Sequence, residues 1–287
     1  MKADWQYRGI RLYRGDCLEI LPRLRAASVD MIFTDPPYGH KNNDDDLIAR
    51  RELALGGKRY HCQNPARPIL NDGPEANDLF HASLPEWARL LRCCCCCCCC
   101  GGGPDPQFAR WSLWMDEVLR FKQMVVWDKG PMGMGWHYRR SYETVLVAQK
   151  GKGKTAWFDT TRRIENIIRP ASGIRKIIPS AADHPTPKPV SLASHFIRLH
   201  TCPGQAVLDP FMGSGSTAIA CIREKRRFIG IELDKKYFAA AVERIEAELG
   251  AKRIRRAVAR IAPRPTPLAP RSKRRQLATT GREFRAK

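Results

Sequence analysis

Asp35-Pro36-Pro37-Tyr38 follows the apolar segment at residues 29–34, and Phe211-Met212-Gly213-Ser214-Gly215 follows a second apolar segment at residues 206–209. We call residues 35–38 the proline turn and residues 211–215 the glycine turn. Each apolar segment predicts a β-strand, so each turn begins where a strand ends. Because open α/β sheets bind ligands at the carboxyl ends of their strands, both turns are expected to be functional.

Predicted strands and helices alternate along most of the chain, which favours a parallel α/β sheet. The predicted strands are residues 10–14, 29–34, 93–100, 124–127, 142–148, 206–209 and 228–232. The predicted helices are residues 17–25, 85–91, 108–121, 216–224 and 235–249. Residues 39–80 are predicted to be mostly a long loop, and residues 150–185 to be irregular.

The chain contains twelve cysteines, and eight of them form one run at residues 93–100. Neighbouring cysteines in a strand point to opposite faces and seldom bridge, and no CxxC pair elsewhere completes a zinc site. Free cysteine packs as a small hydrophobe. The run therefore predicts a buried central strand, ended by residues 101–104, in a protein of a reducing compartment and without a metal.

The net charge is +21, and residues 251–287 hold thirteen Lys and Arg against the single acid Glu283, a net +12. This excess favours a polyanionic partner such as a nucleic acid. Prolines after residue 262 argue against a packed helix, so a basic tail is expected from residue 251, disordered beyond about residue 260. No apolar run approaches the roughly 20 residues of a membrane helix, and no secretory signal is seen, which predicts a cytoplasmic protein.

The proline turn is suited to holding an amine attached to an aromatic ring. Its prolines fix φ and supply no N–H, so the turn presents carbonyls and side chains. Hydrogen bonds from the amine to the Asp35 carboxylate and the Pro36 carbonyl would draw its nitrogen toward tetrahedral geometry. That change frees the delocalised lone pair for attack on a methylsulfonium. Tyr38 can stack on a base swung out of a duplex.

The glycine turn predicts a cofactor site. Gly213 and Gly215 permit close backbone approach, and the helix that follows offers unpaired N–H groups. The pattern is not GxGxxG, so a dinucleotide is not the first expectation. Glu232 ends the next strand about 20 residues on, where a carboxylate can accept hydrogen bonds from ribose hydroxyls. The expected ligand therefore carries a ribose.

Taken together, the two turns resemble those of the β class of DNA amino-methyltransferases, in which the proline turn precedes the glycine turn. Members of that class use S-adenosylmethionine to methylate adenine N6 or cytosine N4. The resemblance covers about residues 8–249 and implies a Rossmann-like, seven-stranded methyltransferase sheet with circularly permuted motif order. It implies that the catalytic residues are Asp35, Pro36, Pro37 and Tyr38.

Further segments support the resemblance. Asp16 matches an acid that contacts the cofactor adenine, and residues 184–189, His-Pro-Thr-Pro-Lys-Pro, match a segment lining its methionine end. Residues 127–129, 139–140 and 142–143 resemble segments near the target-base pocket. The implied cofactor-binding residues are Asp16, Thr186, Lys188, Asp209, Phe211, Gly213, Gly215 and Glu232.

The target is predicted to be adenine N6, because relatives that methylate cytosine N4 often have serine in place of Asp35. Cytosine N4 stays an alternative. RNA or protein N-methyltransferases more often carry Asn-Pro-Pro-Tyr after the glycine turn, and an inactive DNA-binding homologue would not need Asp35, Tyr38 and Glu232. Residues 1–250 are predicted to form the catalytic domain, with residues 39–80 and 150–184 sharing target recognition. The oligomeric state and the DNA recognition sequence are not predictable from the sequence.

Overall fold

The computed structural model describes residues 1–39, 70–92, 97–103, 107–130, 141–169 and 188–261. Met1–Gly250 form one compact unit, and Ala251–Lys287 form a second. The strands are β1 Trp5–Tyr7, β2 Ile10–Arg14, β3 Met31–Thr34, β4 Cys97–Gly103, β5 Arg120–Asp128, β6 Tyr142–Gln149, β7 Ile167–Ile168, β8 Ala206–Asp209 and β9 Arg227–Glu232. The helices are α1 Cys17–Ile20, α2 Ala76–Leu90, α3 Gln107–Val118, α4 Val190–His200, α5 Ser216–Arg223 and α6 Lys235–Ile261, and a 3₁₀ turn spans Leu21–Arg23.

All strands described belong to one sheet in the order β1-β2-β9-β8-β3-β4-β6-β5-β7. The seven predicted strands are all present, and the sheet gains two short edge strands, β1 and β7. The expectation of a parallel sheet was wrong at β6, which runs antiparallel to both β4 and β5, and at β1, which is antiparallel to β2. Strand direction depends on how the intervening segments cross the sheet, and this is not encoded in an apolar run.

Both faces of the sheet are covered, and side chains from successive strand residues enter opposite layers. Phe33, Val207 and Phe228 pack with residues of α4, α5 and α6. Ile32 and Leu208 pack with residues of α1, α2 and α3 on the other face. This two-sided burial explains why the central strands read as continuous apolar runs.

Three helices differ from the prediction. Helix α2 begins at Ala76 and contains Pro85, so the predicted loop at 39–80 was wrong at its end; burial of Phe80, Leu84 and Trp87 outweighs the cost of an internal proline. Helix α4 was missed, although its apolar residues recur at helical spacing. Helix α6 passes through Gly250, because one glycine costs only about 1 kcal/mol in a helix.

Predictions for the cysteine run and the tail are only partly covered. Residues 97–100 form the start of β4, between β3 and β6, so a central strand is confirmed there, and it continues through Gly103. Residues 93–96 and the side chains of 97–100 lie outside the described part of the chain. Helix α6 extends to Ile261, within the predicted basic tail, and the disorder predicted beyond about residue 260 falls on residues 262–287, which lie outside the described residues.

One edge of the sheet collects the ends of strands that carry the predicted site. Parallel pairing brings the carboxyl ends of β2, β9, β8, β3 and β4 to this edge. Because β6 is antiparallel, its amino end, with Tyr142 and Glu143, lies at the same edge, opposite the carboxyl end of β5. We call this the catalytic edge.

In the described ranges, no helix is long and apolar enough to cross a membrane.

Candidate active site

The proline turn leaves β3 at the catalytic edge and is fixed by a buried aspartate. Asp72, only 2% exposed, accepts hydrogen bonds through Oδ1 from the backbone N–H groups of Tyr38, at 3.0 Å, and Gly39, at 2.9 Å. The Tyr38 hydroxyl donates to Oδ1 of Asp35. The turn is therefore held from outside by Asp72 and from within by its own first and last residues.

Asp35 belongs to a network of partly buried charges. Nζ of Lys188 lies 2.8 Å from Oδ2 of Asp35 and 3.0 Å from Oε2 of Glu143. Glu143 is also paired through Oε1 with Nζ of Lys129, at 2.9 Å. The same Lys188 ammonium stands 5.2 Å from the centre of the Tyr38 ring. Two ammonium groups thus neutralise two carboxylates inside the site.

Burial and charge act in opposite directions on this network. Burial raises the pKa of Asp35, and Lys188 only partly opposes the rise. Burial also acts to raise the pKa of Glu143, but Lys188 and Lys129 outweigh it and lower that pKa to about 2. Burial acts to lower the pKa of Lys188, yet Asp35 and Glu143 raise it well above its usual value. Glu143 and Lys188 are therefore charged at neutral pH.

A small cavity, which we call the base cavity, lies over these groups. Its volume is about 20 Å³, and it is lined by Phe33, Thr34, Asp35, Tyr38, Gly101, Trp127, Glu143, Thr144, Val145, Lys188 and Leu192. A single water needs roughly 10–15 Å³ by the same measure. A nucleobase cannot enter until side chains move, and the Lys188 ammonium fills the position next to Asp35.

Gly101 in β4 closes one side of this cavity. A Cβ atom at this position would overlap Oδ1 of Asp35 and would lie 2.6 Å from the hydroxyl oxygen of Tyr38. Both distances are shorter than van der Waals contact. The absence of a side chain at residue 101 is therefore required for the observed Asp35–Tyr38 pair.

The glycine turn follows β8 and is held by Glu232 at the end of β9. Oε2 of Glu232 accepts a hydrogen bond from the N–H of Gly213 at 2.7 Å, and Oε1 accepts one from the N–H of Asp234 at 2.8 Å. Gly213 and Gly215 have φ values of 52° and 79°, which favour glycine. Burial raises the pKa of Glu232 to about 7.

Asp16 lies beside Glu232 at neighbouring strand ends. Arg14 of β2 pairs with Glu232 of β9, and the N–H of Gly15 donates to the Glu232 carbonyl at 3.0 Å. Oδ1 of Asp16 caps α1 by accepting from the N–H of Leu18 at 2.8 Å. The two predicted cofactor carboxylates are therefore neighbours across the catalytic edge.

Asp209 connects the two turns. Its Oδ1 accepts hydrogen bonds from the Thr34 hydroxyl at 2.7 Å and from the N–H of Phe211 at 3.1 Å. Burial raises the Asp209 pKa to about 6. Thr34 directly precedes the proline turn and Phe211 begins the glycine turn, so one buried carboxylate sets the spacing between them.

Comparison with known proteins identifies the family. A sequence profile described as DNA methylase, of the N6/N4 methyltransferase group, matches residues 29–243. The chain belongs to this DNA methylase family. Type II methyltransferase M2.DpnII of Streptococcus pneumoniae is 27% identical over 251 residues, covering 83% of this chain and 90% of the relative. DNA adenine methyltransferase YhdJ of Escherichia coli K12 is 25% identical over 265 residues, covering 82% of each.

Solved structures share the DNA methylase fold. A modification methylase of Thermus thermophilus, complexed with S-adenosyl-L-methionine, gives a TM-score of 0.59 at 24% identity, covering 83% of this chain and 95% of its own. PvuII DNA methyltransferase, cytosine-N4-specific, gives 0.63 at 20% identity, covering 84% and 88%. The predicted Rossmann-like methyltransferase architecture is confirmed at the level of the fold.

The residues of the DNA methylase fit a cofactor that carries a ribose and an amino acid. Each Glu232 oxygen holds one backbone N–H, and a carboxylate can accept about four hydrogen bonds, so acceptor capacity remains. At the amino end of α5, the buried Ser216 hydroxyl oxygen has no hydrogen-bond partner in the described structure. Both groups border the glycine turn, where a polar ligand would satisfy them.

The predicted site residues of the DNA methylase form two groups, and one further predicted residue is not described by the structure. Asp35, Pro36, Pro37, Tyr38 and Lys188 meet at the base cavity or in the turn beside it. Asp16, Asp209, Phe211, Gly213, Gly215 and Glu232 lie along the adjoining strand ends. Thr186 is outside the described residues, and Lys188, predicted to bind the cofactor, contacts Asp35.

Sequence reasoning did not assign roles to Thr34, Asp72 and Gly101. Thr34 immediately precedes the proline turn, and Gly101 ends the cysteine run, so both had a positional signal. Asp72 had none, because it lies within the segment predicted as a loop, and only the fold brings it to Tyr38.

Proposed function

We propose that this DNA methylase transfers a methyl group from S-adenosylmethionine to adenine N6 of double-stranded DNA. One observation carries the proposal: a nitrogen donor, Nζ of Lys188, already lies 2.8 Å from Oδ2 of Asp35 in the base cavity. An exocyclic amine is also a nitrogen donor and needs the same acceptor. The relative YhdJ, named a DNA adenine methyltransferase, supports N6 as the target.

Several residues prepare the amine. The Asp35 carboxylate and the Pro36 carbonyl accept hydrogen bonds from the two N–H groups of the amine. These bonds direct the nitrogen lone pair away from the ring. Tyr38 supports the base by stacking. The cofactor, when bound, supplies a methyl group on a sulfonium. The bond from Thr34 to Asp209 keeps the proline turn and the glycine turn at a constant separation, which orients the two reactants.

Lys188 must leave Asp35 before the amine can bind there. Glu143 can retain Lys188, because its Oε2 already lies 3.0 Å from the same ammonium. When the ammonium moves away, the factor that lowers the Asp35 pKa is lost, and burial still raises it. Asp35 is then a better proton acceptor, suited to take the proton that the methylated nitrogen releases.

The decisive experiment uses the purified protein, labelled S-adenosylmethionine and a plasmid substrate, followed by digestion to nucleosides and mass identification. Detection of N6-methyladenine supports the proposal. Detection of N4-methylcytosine alone supports cytosine N4 as the target. The likeness to the cytosine-N4-specific structure concerns only the fold. RNA and protein acceptors tested in parallel address the other classes. No transfer to any acceptor would indicate an inactive homologue.

We also propose a catalytic domain at residues 1–250, with residues 39–80 and 150–184 contacting the target sequence. Within the second range, Trp157 and Phe158 are each 47% exposed. The roles of the two cofactor carboxylates Asp16 and Glu232, and the cytoplasmic location, stay predictions.

A further inference from the structure

The edge of the sheet opposite the catalytic edge carries a row of exposed cations. The register aligns the starts of β2, β9, β8, β3, β4 and β5 with the end of β6 at this second edge. We define the basic edge by the exposed residues in or beside the connecting loops: Arg8, Arg25, Arg120, Lys225 and Arg227.

The basic edge is long and follows the strand order. Arg8 lies in the turn before β2, and Arg120 begins β5. Six strand spacings separate these two strands in the sheet order. Because neighbouring strands are about 4.8 Å apart, the row extends for about 29 Å. Arg25, Lys225 and Arg227 lie between its ends.

Carboxylates do not compensate this charge. Asp30 and Glu224, which lie in the same loops, are already paired with Arg92 and with Arg198. Asp116 and Glu117 are exposed at the end of α3, near Arg120 only. In the described part of the chain, no residue of the basic edge forms an ion pair.

The basic edge is too far from the base cavity to belong to the same contact. Five residue steps separate Arg227 from Glu232 in β9, or about 17 Å, and eight separate Arg120 from Asp128 in β5, or about 26 Å. A duplex whose base enters the cavity lies beyond the catalytic edge.

We propose that the basic edge binds the phosphate backbone of a second duplex segment while the first segment occupies the catalytic edge. Duplex DNA carries one negative charge per about 1.7 Å of its axis, so a 29 Å stretch offers about 17 phosphates on its two strands. DNA is stiff over this length, with a persistence length of about 50 nm, and matches a row of cations better than a flexible chain does. The choice of DNA rests on the proposed function.

The proposal is tested by bridging. An immobilised short duplex is saturated with the full-length protein, and capture of a second, fluorescent duplex is measured over a range of salt concentrations. The test variant combines Arg8→Glu, Arg25→Glu and Lys225→Glu. We expect wild-type protein to capture the second duplex. In the variant, the slope of log affinity against log salt for that duplex should become less negative by about 3, because each lost phosphate contact removes about 0.9 from its magnitude.

The matched control reverses three tail charges, Lys273→Glu, Arg274→Glu and Arg275→Glu, which produces the same change in net charge. Under the proposal, the control keeps the bridging slope, and the edge variant methylates the short duplex like wild type. No bridging by wild type, or bridging lost only in the tail variant, would overturn the inference. So would equal loss of methylation and bridging in the edge variant, or capture of duplex RNA but not DNA. Absence of methylation by wild type, with bridging intact, would instead contradict the proposed function alone.

Discussion

The ammonium of Lys188 occupies the position on Asp35 where the target amine must bind, with Nζ 2.8 Å from Oδ2. The lysine therefore does two things in the free protein: it neutralises a buried carboxylate, and it blocks the base cavity. Glu143, 3.0 Å from the same Nζ, offers an alternative partner during base entry. The predictions below test this arrangement and its link to the cofactor residues.

Lys188→Gln should shift the acid limb of kcat/KM to higher pH, because that limb reports the free enzyme, in which Lys188 contacts Asp35. Asp35 acts as an acceptor only when ionised, so activity falls as pH drops through its pKa. Lys188 lowers that pKa against the effect of burial, and its removal lets the pKa rise. Lys129→Gln is the control, because Lys129 pairs with Glu143 and not with Asp35. An unchanged acid limb in Lys188→Gln would exclude this role.

Asp35→Ala should abolish methyl transfer while leaving cofactor affinity nearly intact. Asp35 accepts from the amine, and the glycine turn that is expected to hold the cofactor is anchored by Glu232 instead. Rate and cofactor affinity are measured separately, by methyl-transfer assay and by calorimetry. Joint loss of both would contradict the assigned role.

Gly101→Ala should lower the rate of methyl transfer strongly with little change in cofactor affinity. The added methyl group overlaps Oδ1 of Asp35 and comes within 2.6 Å of the Tyr38 hydroxyl oxygen, so the Asp35–Tyr38 pair must separate. Gly250→Ala is the matched control, since nothing lies within 4 Å of its added Cβ. Thermal melts of both variants distinguish a local displacement from unfolding. A fully active Gly101→Ala protein would show that the pair is not required.

Glu232→Gln should weaken cofactor binding by about 1–3 kcal/mol, the scale of charge-assisted hydrogen bonds. Ribose hydroxyls donate to the ionised carboxylate, whose pKa is raised to about 7 by burial. Wild-type affinity should therefore increase as pH rises through about 7, and the variant should lose this dependence. Calorimetry at several pH values checks both; equal affinities would refute the ribose assignment.

Much of the sheet and the chemistry of both turns could be predicted from local sequence. Apolar runs of four or more residues indicated every central strand, and the prolines of residues 35–38 and the glycines of 211–215 indicated turns at strand ends. Helix limits were harder to predict, because the burial of Trp87 and its neighbours carries α2 across Pro85. Propensity alone does not contain that packing energy.

The sequence by itself determined which residue types are available at the turns: a carboxylate and a tyrosine on a rigid segment, and two glycines followed by an acid one strand later. Only the tertiary structure decided which of them meet. The hydrogen bond from Thr34 to Asp209, the approach of Lys188 to Asp35 and the contact of Gly101 with the proline turn all cross between strands or segments far apart in the chain. Such contacts depend on strand order, direction and register, which follow from burying both faces of one sheet at once and not from any local pattern.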